Sequence, residues 1–523
     1  MSPTVVAAPL LVALVTGVVA LVVRGPRGGP AVSLAGGVAY VAAVAALVAA
    51  VLGDPDGVLV YQLGDWPAPF GIVLVADALS AFMLALSAPV ALVALAVGTR
   101  QRAGDDRSGQ TGAGEGGPRT FHALYHFVLV GVTGAVLTGD VFNLFVWFEV
   151  MLMGSYVLVV YHGGAHQTRA TLRYLVLNLV GSAVMLLAIG GLYATTGTLN
   201  MADLARRFAE PAAYGIETAP VLGLVGLLFA VFALKAGAVP FQFWVPGAYR
   251  AAPPAVAALL AGVTKKVGVY AIIRLAFTVL GTATIADAAA GYLGGVLTVL
   301  ATASVVGGGL AAIDRDSLEG LFAYSSIGQV GFILLPLAVA AGTTGPVRAL
   351  GVAAALVYAL NHALAKSLLF LAAGTVRDAT GTTRFGRLGG LAGQLPLLSG
   401  AVFVGALALV GIPPLSGFFA KLLVFDAAVG GRAWGALAVA LAGALLTVAY
   451  VSRAWNRGFW GQPTPYVERA AVDPVQVAGL GALALALLAV GVGFDPVFTF
   501  AERAAAAALD TQGYVDAVLG GGA

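Results

Sequence analysis

Apolar runs separated by short loops of Arg, Gly and Pro recur from one end of this chain to the other. Residues 5–23, 31–52 and 71–97 are the first three. Each is long enough to cross the roughly 30 Å hydrocarbon layer of a bilayer, which takes about 20 helical residues. A soluble domain has no room for so many: the chain is 60% hydrophobic and 10% charged, against about 25% charged in soluble proteins. The alternation of a β-barrel is missing from the pattern. The fold class that follows is an all-α polytopic membrane protein. The first run lacks a small-x-small site ahead of Arg24 and Arg27 and is too long for the core of a secretion signal, so it reads as a retained helix. With no cysteine in the chain, disulfides, cysteine zinc sites and iron–sulfur ligation within it are excluded.

Cutting at clusters of charge, Pro and Gly predicts about fourteen spans, near 4–23, 31–53, 71–98, 120–138, 141–161, 170–194, 218–239, 254–279, 290–313, 318–341, 346–375, 396–426, 432–455 and 472–493. NMADLARRFAEPA, between the sixth and seventh, reads as a short interfacial helix, and FAERAAAAALDTQGYVDAVL as an amphipathic tail. The Gly-rich, charged stretch 98–118 is expected to be a mobile loop. Loops after odd-numbered spans carry most of the arginines, Arg100, Arg250, Arg315, Arg377, Arg384, Arg387 and Arg457 among them, whereas those after even-numbered spans hold Arg206, Arg207, Arg274, Arg348, Arg432 and Arg503. The odd loops are therefore expected in the cytoplasm and both termini outside.

Two segments read as interrupted helices. In the seventh span FALKAGAVPFQFW places Lys235 ahead of Pro240, and in the twelfth GIPPLSGFFAK places Pro413 and Pro414 ahead of Lys421. Proline-broken segments five spans apart are what two inverted five-helix repeats would produce, with the breaks marking an ion site near the midplane. The division that follows is 1–119 (three helices and the loop), 120–279 (first repeat), 290–455 (second repeat) and 456–523 (last helix and tail).

The cations are unevenly chosen. Of 27 basic residues five are lysine, Lys235, Lys265, Lys266, Lys366 and Lys421, and all five fall inside predicted spans, while every loop cation is arginine. Arginine does not deprotonate in a protein, whereas a desolvated lysine readily changes its protonation state. The five positions thus read as needing a cation that can become neutral. Snorkelling lysines near helix ends are the bland alternative. Lys265 and Lys266 stand roughly 100° apart on a helix, so one of them, Lys266, is expected to face the interior and the other to be structural or snorkelling. Among the glutamates only Glu149 lies well inside a span, and Lys235 is its expected partner, since an isolated carboxylate in lipid is costly. His362 stands four residues before Lys366, on one helix face, suited to relay protons between lysines. His122, His126, His162 and His166 are expected at interfaces. Asp77, Asp140 and Asp426 are expected in solvated or capping roles, and Ser325, Ser326 and Gln329 as holders of bridging water. There is no Walker loop and no Cys/His metal cluster.

FVWFEVMLMGSYVL, TKKVGVYAIIR, AYSSIGQVGF, NHALAKSLLFLAAG and GIPPLSGFFAK resemble the antiporter-like membrane subunits shared by respiratory complex I and the Mrp (Mnh) multisubunit cation/proton antiporters. Within that group they look most like the D-type Mrp subunit, since Lys421 stands where a complex I relative carries glutamate. The resemblance covers most of the chain, weakening in the first hundred and last seventy residues. It implies fourteen helices, two inverted repeats, and a proton line of Glu149, Lys235, Lys266, His362, Lys366 and Lys421. It further implies a non-enzymatic transporter subunit in the cell membrane, moving H⁺ against Na⁺, with partners of the A, B, C, E, F and G type and with neither cofactor nor metal. A redox-linked pump of the complex I or membrane-bound hydrogenase kind would use the same line, and a scaffold with vestigial charges is the third class.

Overall fold

The computed structural model describes residues 4–23, 25, 27–101, 120–281 and 284–520. Beyond residue 101, the expected mobile loop lies outside these.

Twelve helices among the described residues are long and apolar enough to cross a membrane. They are α1 (Thr4–Val22), α2 (Gly28–Gly53), α3 (Ala78–Gln101), α5 (Val141–Val159), α6 (Ala165–Thr196), α8 (Thr218–Ala236), α10 (Pro254–Val279), α11 (Thr284–Ile313), α12 (Leu318–Ala341), α13 (Gly345–Thr380), α16 (Trp434–Phe459) and α17 (Pro474–Val492). The predicted fourth span is the 17-residue α4 (Phe121–Leu137), and the twelfth is a pair of 15-residue helices, α14 (Pro396–Val410) and α15 (Ser416–Gly430). The NMADLARRF segment forms α7 (Met201–Ala209), and the tail forms α18 (Phe494–Leu509) and α19 (Thr511–Leu519).

The third predicted span needs correction at its start. Val73–Asp77 is strand β2, paired antiparallel with β1 (Val58–Gln62) from Val58 opposite Asp77 to Gln62 opposite Val73. Apolar β-branched runs on either side of a Pro- and Gly-rich turn favour a hairpin, and a hydropathy window cannot tell such a strand from the first turn of a helix.

The bundle is layered by burial. α10, α12 and α13 lie almost wholly inside, while α1, α2, α16 and α17 present most of their surface outward. This is why the polar residues of α10, α12 and α13 can be functional: they are shielded from lipid on every side.

Both expected breaks are present. α8 stops at Gly237, whose φ of +70° suits a residue without Cβ, and the chain passes Pro240 before resuming as α9 (Val245–Ala251). At the break the Leu234 carbonyl accepts from the Gly237 amide at 3.0 Å and, from the side, from Trp244 Nε1 at 2.9 Å. α14 likewise stops at Gly411, with a φ of +91°, and resumes as α15 after Pro413 and Pro414. Here it is Lys421 Nζ that donates to the free carbonyl of Val410, at 2.9 Å.

Candidate functional site

Glu149 of α5 and Lys235 of α8 approach to 3.9 Å between Oε1 and Nζ. Ser182 of α6 stands between them: its hydroxyl donates to Glu149 Oε1 and accepts from Lys235 Nζ at 3.1 Å. The Asn178 carbonyl accepts from the same ammonium at 3.5 Å, and the Phe148 ring lies 5.8 Å from it. Lys235 is buried, whereas the Glu149 side chain keeps 21% of its surface exposed at the edge of this chain.

Two residues beyond Lys235 the helix break brings the backbone against α10. A Cβ at Gly237 would stand 3.2 Å from Lys265 Nζ, so the left-handed glycine also makes room for a lysine. Lys265 Nζ reaches Ser326 Oγ of α12 at 3.4 Å. Lys266 Nζ donates to its own helix at Ala261 O (2.6 Å) and to His362 Nδ1 of α13 (2.6 Å). Ala261 lies in the π-helical turn Leu260–Thr264, the local widening that is frequent at functional sites. On its other side His362 Nε2 stands 3.3 Å from Ser326 Oγ. A lysine ammonium only donates, so Nδ1 is the accepting nitrogen and Nε2 carries the ring hydrogen.

Both lysines of the doublet are buried, at 0% and 1% exposure. Of the expectation that one of them is structural or snorkelling, the snorkelling half does not hold. Although their side chains diverge, the imidazole and Ser326 fill the angle between them, so each finds a partner. One turn along α13 from His362, Lys366 Nζ donates to Ser325 Oγ and, at 3.2 Å, to Phe322 O. Lys421 lies apart from this group, with Val410 O and the Phe332 ring, 5.3 Å away, as its neighbours. Between them Gln329 is bound by Tyr358 (2.6 Å) and Tyr450 (3.0 Å), and Phe332 stacks on Tyr358. Ser325 and Ser326 touch Lys366, Lys265 and His362 directly, whereas Gln329 touches none of them. Among the described residues no group of three or more His, Asp or Glu is placed to hold a metal ion.

The family model described as "NADH:quinone oxidoreductase/Mrp antiporter, TM" matches residues 138–447. The chain belongs to this family. The D-type subunit of the Na(+)/H(+) antiporter of Alkalihalophilus pseudofirmus is 37% identical over 89% of this chain and 89% of its own length. Its counterpart in a probable K(+)/H(+) antiporter of Rhizobium meliloti is 35% identical over 82% of this chain and 80% of its own. Among solved structures, a chain of the Mrp complex from Dietzia sp. DQ12-45-1b superposes with a TM-score of 0.86 at 29% identity, over 99% of this chain and all of that one.

Several charges of this family member are not where the sequence suggested. Arg274 is no loop cation: it is 2% exposed within α10 and holds Asp77 bidentately, at 2.6 and 2.8 Å. Asp77 is correspondingly not solvated. It accepts from the Ser80 amide at the start of α3, so the capping half of the expectation stands. Burial pushes its carboxyl up, but the adjoining guanidinium outweighs this and holds it below the usual carboxylate range. Asp140 caps α5, accepting from the Asn143 amide at 2.8 Å. His122 and His126, at the start of α4, are buried within the chain, and His126 Nε2 lies 3.0 Å from Ser33 Oγ of α2. α4 packs against α1, α5 and α2, and that packing leaves no trace in local hydropathy. His162 and His166 are exposed. Ser182 was missed altogether; the usable signal was its place on α6, one turn from Asn178, in an otherwise apolar stretch.

Proposed function

We propose that this chain is the proton-translocating, D-type membrane subunit of a multisubunit Na⁺/H⁺ antiporter, and acts by transport instead of chemical catalysis. One observation carries the reading: all five lysines, together with His362, are buried at 5% exposure or less, and among the described residues a single carboxylate, Glu149, comes within ion-pair distance of any of these lysines. Uncompensated ammonium groups are too costly to keep buried for stability alone. A lysine that alternates between charged and neutral has a reason to be there.

The proton line comprises Glu149, Lys235, Lys266, His362, Lys366 and Lys421, to which Lys265 is now added. His362 accepts from Lys266 on one nitrogen and donates on the other to Ser326 Oγ, the hydroxyl that also accepts from Lys265, so proton transfer across the ring needs no movement of the helices. Water bridges the longer gaps to Lys235 and Lys421. Glu149 attracts the Lys235 charge through Ser182; loss of that charge frees Glu149, which sits at the chain's edge where a neighbouring subunit can sense it.

The chain is read as lying in the cell membrane with fourteen spans, the broken pairs α8–α9 and α14–α15 among them, and with both termini outside. The division is 1–119, 120–279, 290–455 and 456–523. Matching constructions at α6 and α13 support two inverted repeats in the middle pair. Thr196 Oγ1 lies 3.0 Å from Thr198 O after α6, and Thr380 Oγ1 lies 2.8 Å from Thr382 O after α13. The adjoining residues bridge to the starts of α5 and α12, as Asn200 with Asp140 and Arg384 with Ser317. Subunits of the A, B, C, E, F and G type are the partners.

The test uses everted vesicles carrying the whole complex and a pH-sensitive dye. Added NaCl should collapse the pH gradient in wild type and not in Lys235→Ala. Collapse that persists in the variant would make this chain a scaffold.

A further inference from the structure

Two basins adjoin at one end of the bundle, where α12 begins and α13 and α16 end. The larger, of about 540 Å³, is lined by Arg250, Arg315, Arg377 and Arg384. The other, of about 400 Å³, is lined by Arg384, Arg387 and Arg457. Three carboxylates share the pair of basins, Asp314, Asp316 and Glu319. Asp314 is occupied by Arg315 at 3.3 Å and Glu319 by Arg377 at 3.1 Å. Six guanidinium groups thus face three carboxylates, and in the smaller basin Arg384, Arg387 and Arg457 face Asp316 alone.

The backbone holds this surplus charge together instead of letting it disperse. The Phe385 amide donates to Asp316 O at 2.8 Å, fixing the loop that carries Arg384, and Thr464 Oγ1 donates to Arg387 O at 2.7 Å. Arg387 is further seated over the Tyr466 ring at 5.5 Å. Arg457 projects from a π-helical last turn of α16. Trp460, which directly follows the turn that carries Arg457, is 61% exposed. In the same turn Trp455 stacks on Phe459 and packs on the exposed Phe403 of α14, at 4.6 and 4.7 Å, so an apolar strip leads from Arg457 onto α14.

We propose that this basin binds the phosphate of an anionic phospholipid, with the acyl chains lying along the α14–α16 strip. Planar guanidinium groups match phosphate oxygens bidentately, and basic pockets at helix ends recognise anionic headgroups. Tryptophan at the rim is the usual marker of the headgroup level. The exposed apolar strip, continuous with the basin, is what favours a lipid over free phosphate. The proposal does not depend on which ions the chain moves.

The test is native mass spectrometry of the full-length chain in its membrane complex, released in mild detergent. Wild type should retain phosphatidylglycerol or cardiolipin, and R384A/R387A/R457A should retain about a hundredfold less, from the roughly fivefold that each arginine near a headgroup contributes. Equal retention in the variant overturns the proposal. Displacement of the wild-type lipid by millimolar inorganic phosphate also overturns it, marking a free-phosphate site. If the variant does not assemble, delipidated wild type in phosphatidylcholine nanodiscs decides. Added phosphatidylglycerol should bind in a salt-sensitive manner, and no preference for it over phosphatidylcholine refutes the site.

Discussion

At the scale of single residues, the most informative side chain is Ser182. Among the described residues it alone hydrogen-bonds both Glu149 and Lys235, whose direct separation of 3.9 Å is at the outer edge of an ion pair. Hydrogen bonds to charged groups contribute about 1.5–3 kcal/mol, so Ser182→Ala should lower antiport roughly tenfold or more, while Ser182→Thr, which keeps the hydroxyl, should retain most of it. Because Ser182 acts through the pair, combining Ser182→Ala with Glu149→Gln should be no worse than the more damaging single change. Dye-quench rates in vesicles measure this, and simple additivity would show that the serine serves some other contact. The two charges were legible in the sequence because a charge within an apolar run is rare and needs a reason. The serine was not, since hydroxyls are common in membrane helices as packing residues. The lysine doublet was misread for a related reason: helical geometry gives the angle between two side chains but not what the opposite helices place within it.

At the scale of elements, the proline breaks were readable because Pro and Gly act on their own backbone. The Asp77–Arg274 pair was not. Its partners lie 197 residues apart in the chain, and each sits near the edge of a predicted span where a solvated role is the ordinary expectation. The pair ties the hairpin strand β2 to α10, and Thr278, one turn beyond Arg274, donates to Ala508 O of α18 at 2.8 Å. The hairpin, the central helix and the C-terminal helices are thus joined at one end. Asp77→Asn leaves the guanidinium buried without a counter-charge, which costs about 3–5 kcal/mol. A lower melting temperature of the purified complex and less of the chain in assembled form are expected. Replacing both partners, as Asp77→Asn with Arg274→Gln, removes the uncompensated charge and should recover much of the loss. A double variant as unstable as the single one would mean that Arg274 has a role beyond pairing with Asp77.

Across the whole molecule the buried cations run from Lys235, beside Glu149 at one edge, to Lys421 beyond the second helix break, and the two ends are built differently. Lys235 precedes its break and lies next to a carboxylate. Lys421 follows its break and donates to the Val410 carbonyl that the interruption leaves free. That contact gives Lys421 two candidate roles, one of which involves no transport: a fixed cation that satisfies a carbonyl and so holds the two half-helices in place. Lys421→Arg separates them. Arginine keeps the positive charge and can still donate to a carbonyl, but it does not deprotonate. If capping were the whole role, the arginine variant would transport and only Lys421→Ala would fail. If the path across the molecule requires this terminal station to change its charge, both variants should assemble to near wild-type levels by immunoblot. Both should then lose Na⁺-dependent proton movement to within about threefold of each other, since less than 1 kcal/mol would separate them. Transport restored by arginine would end the proton line at Lys366 and leave Lys421 as part of the helix break alone.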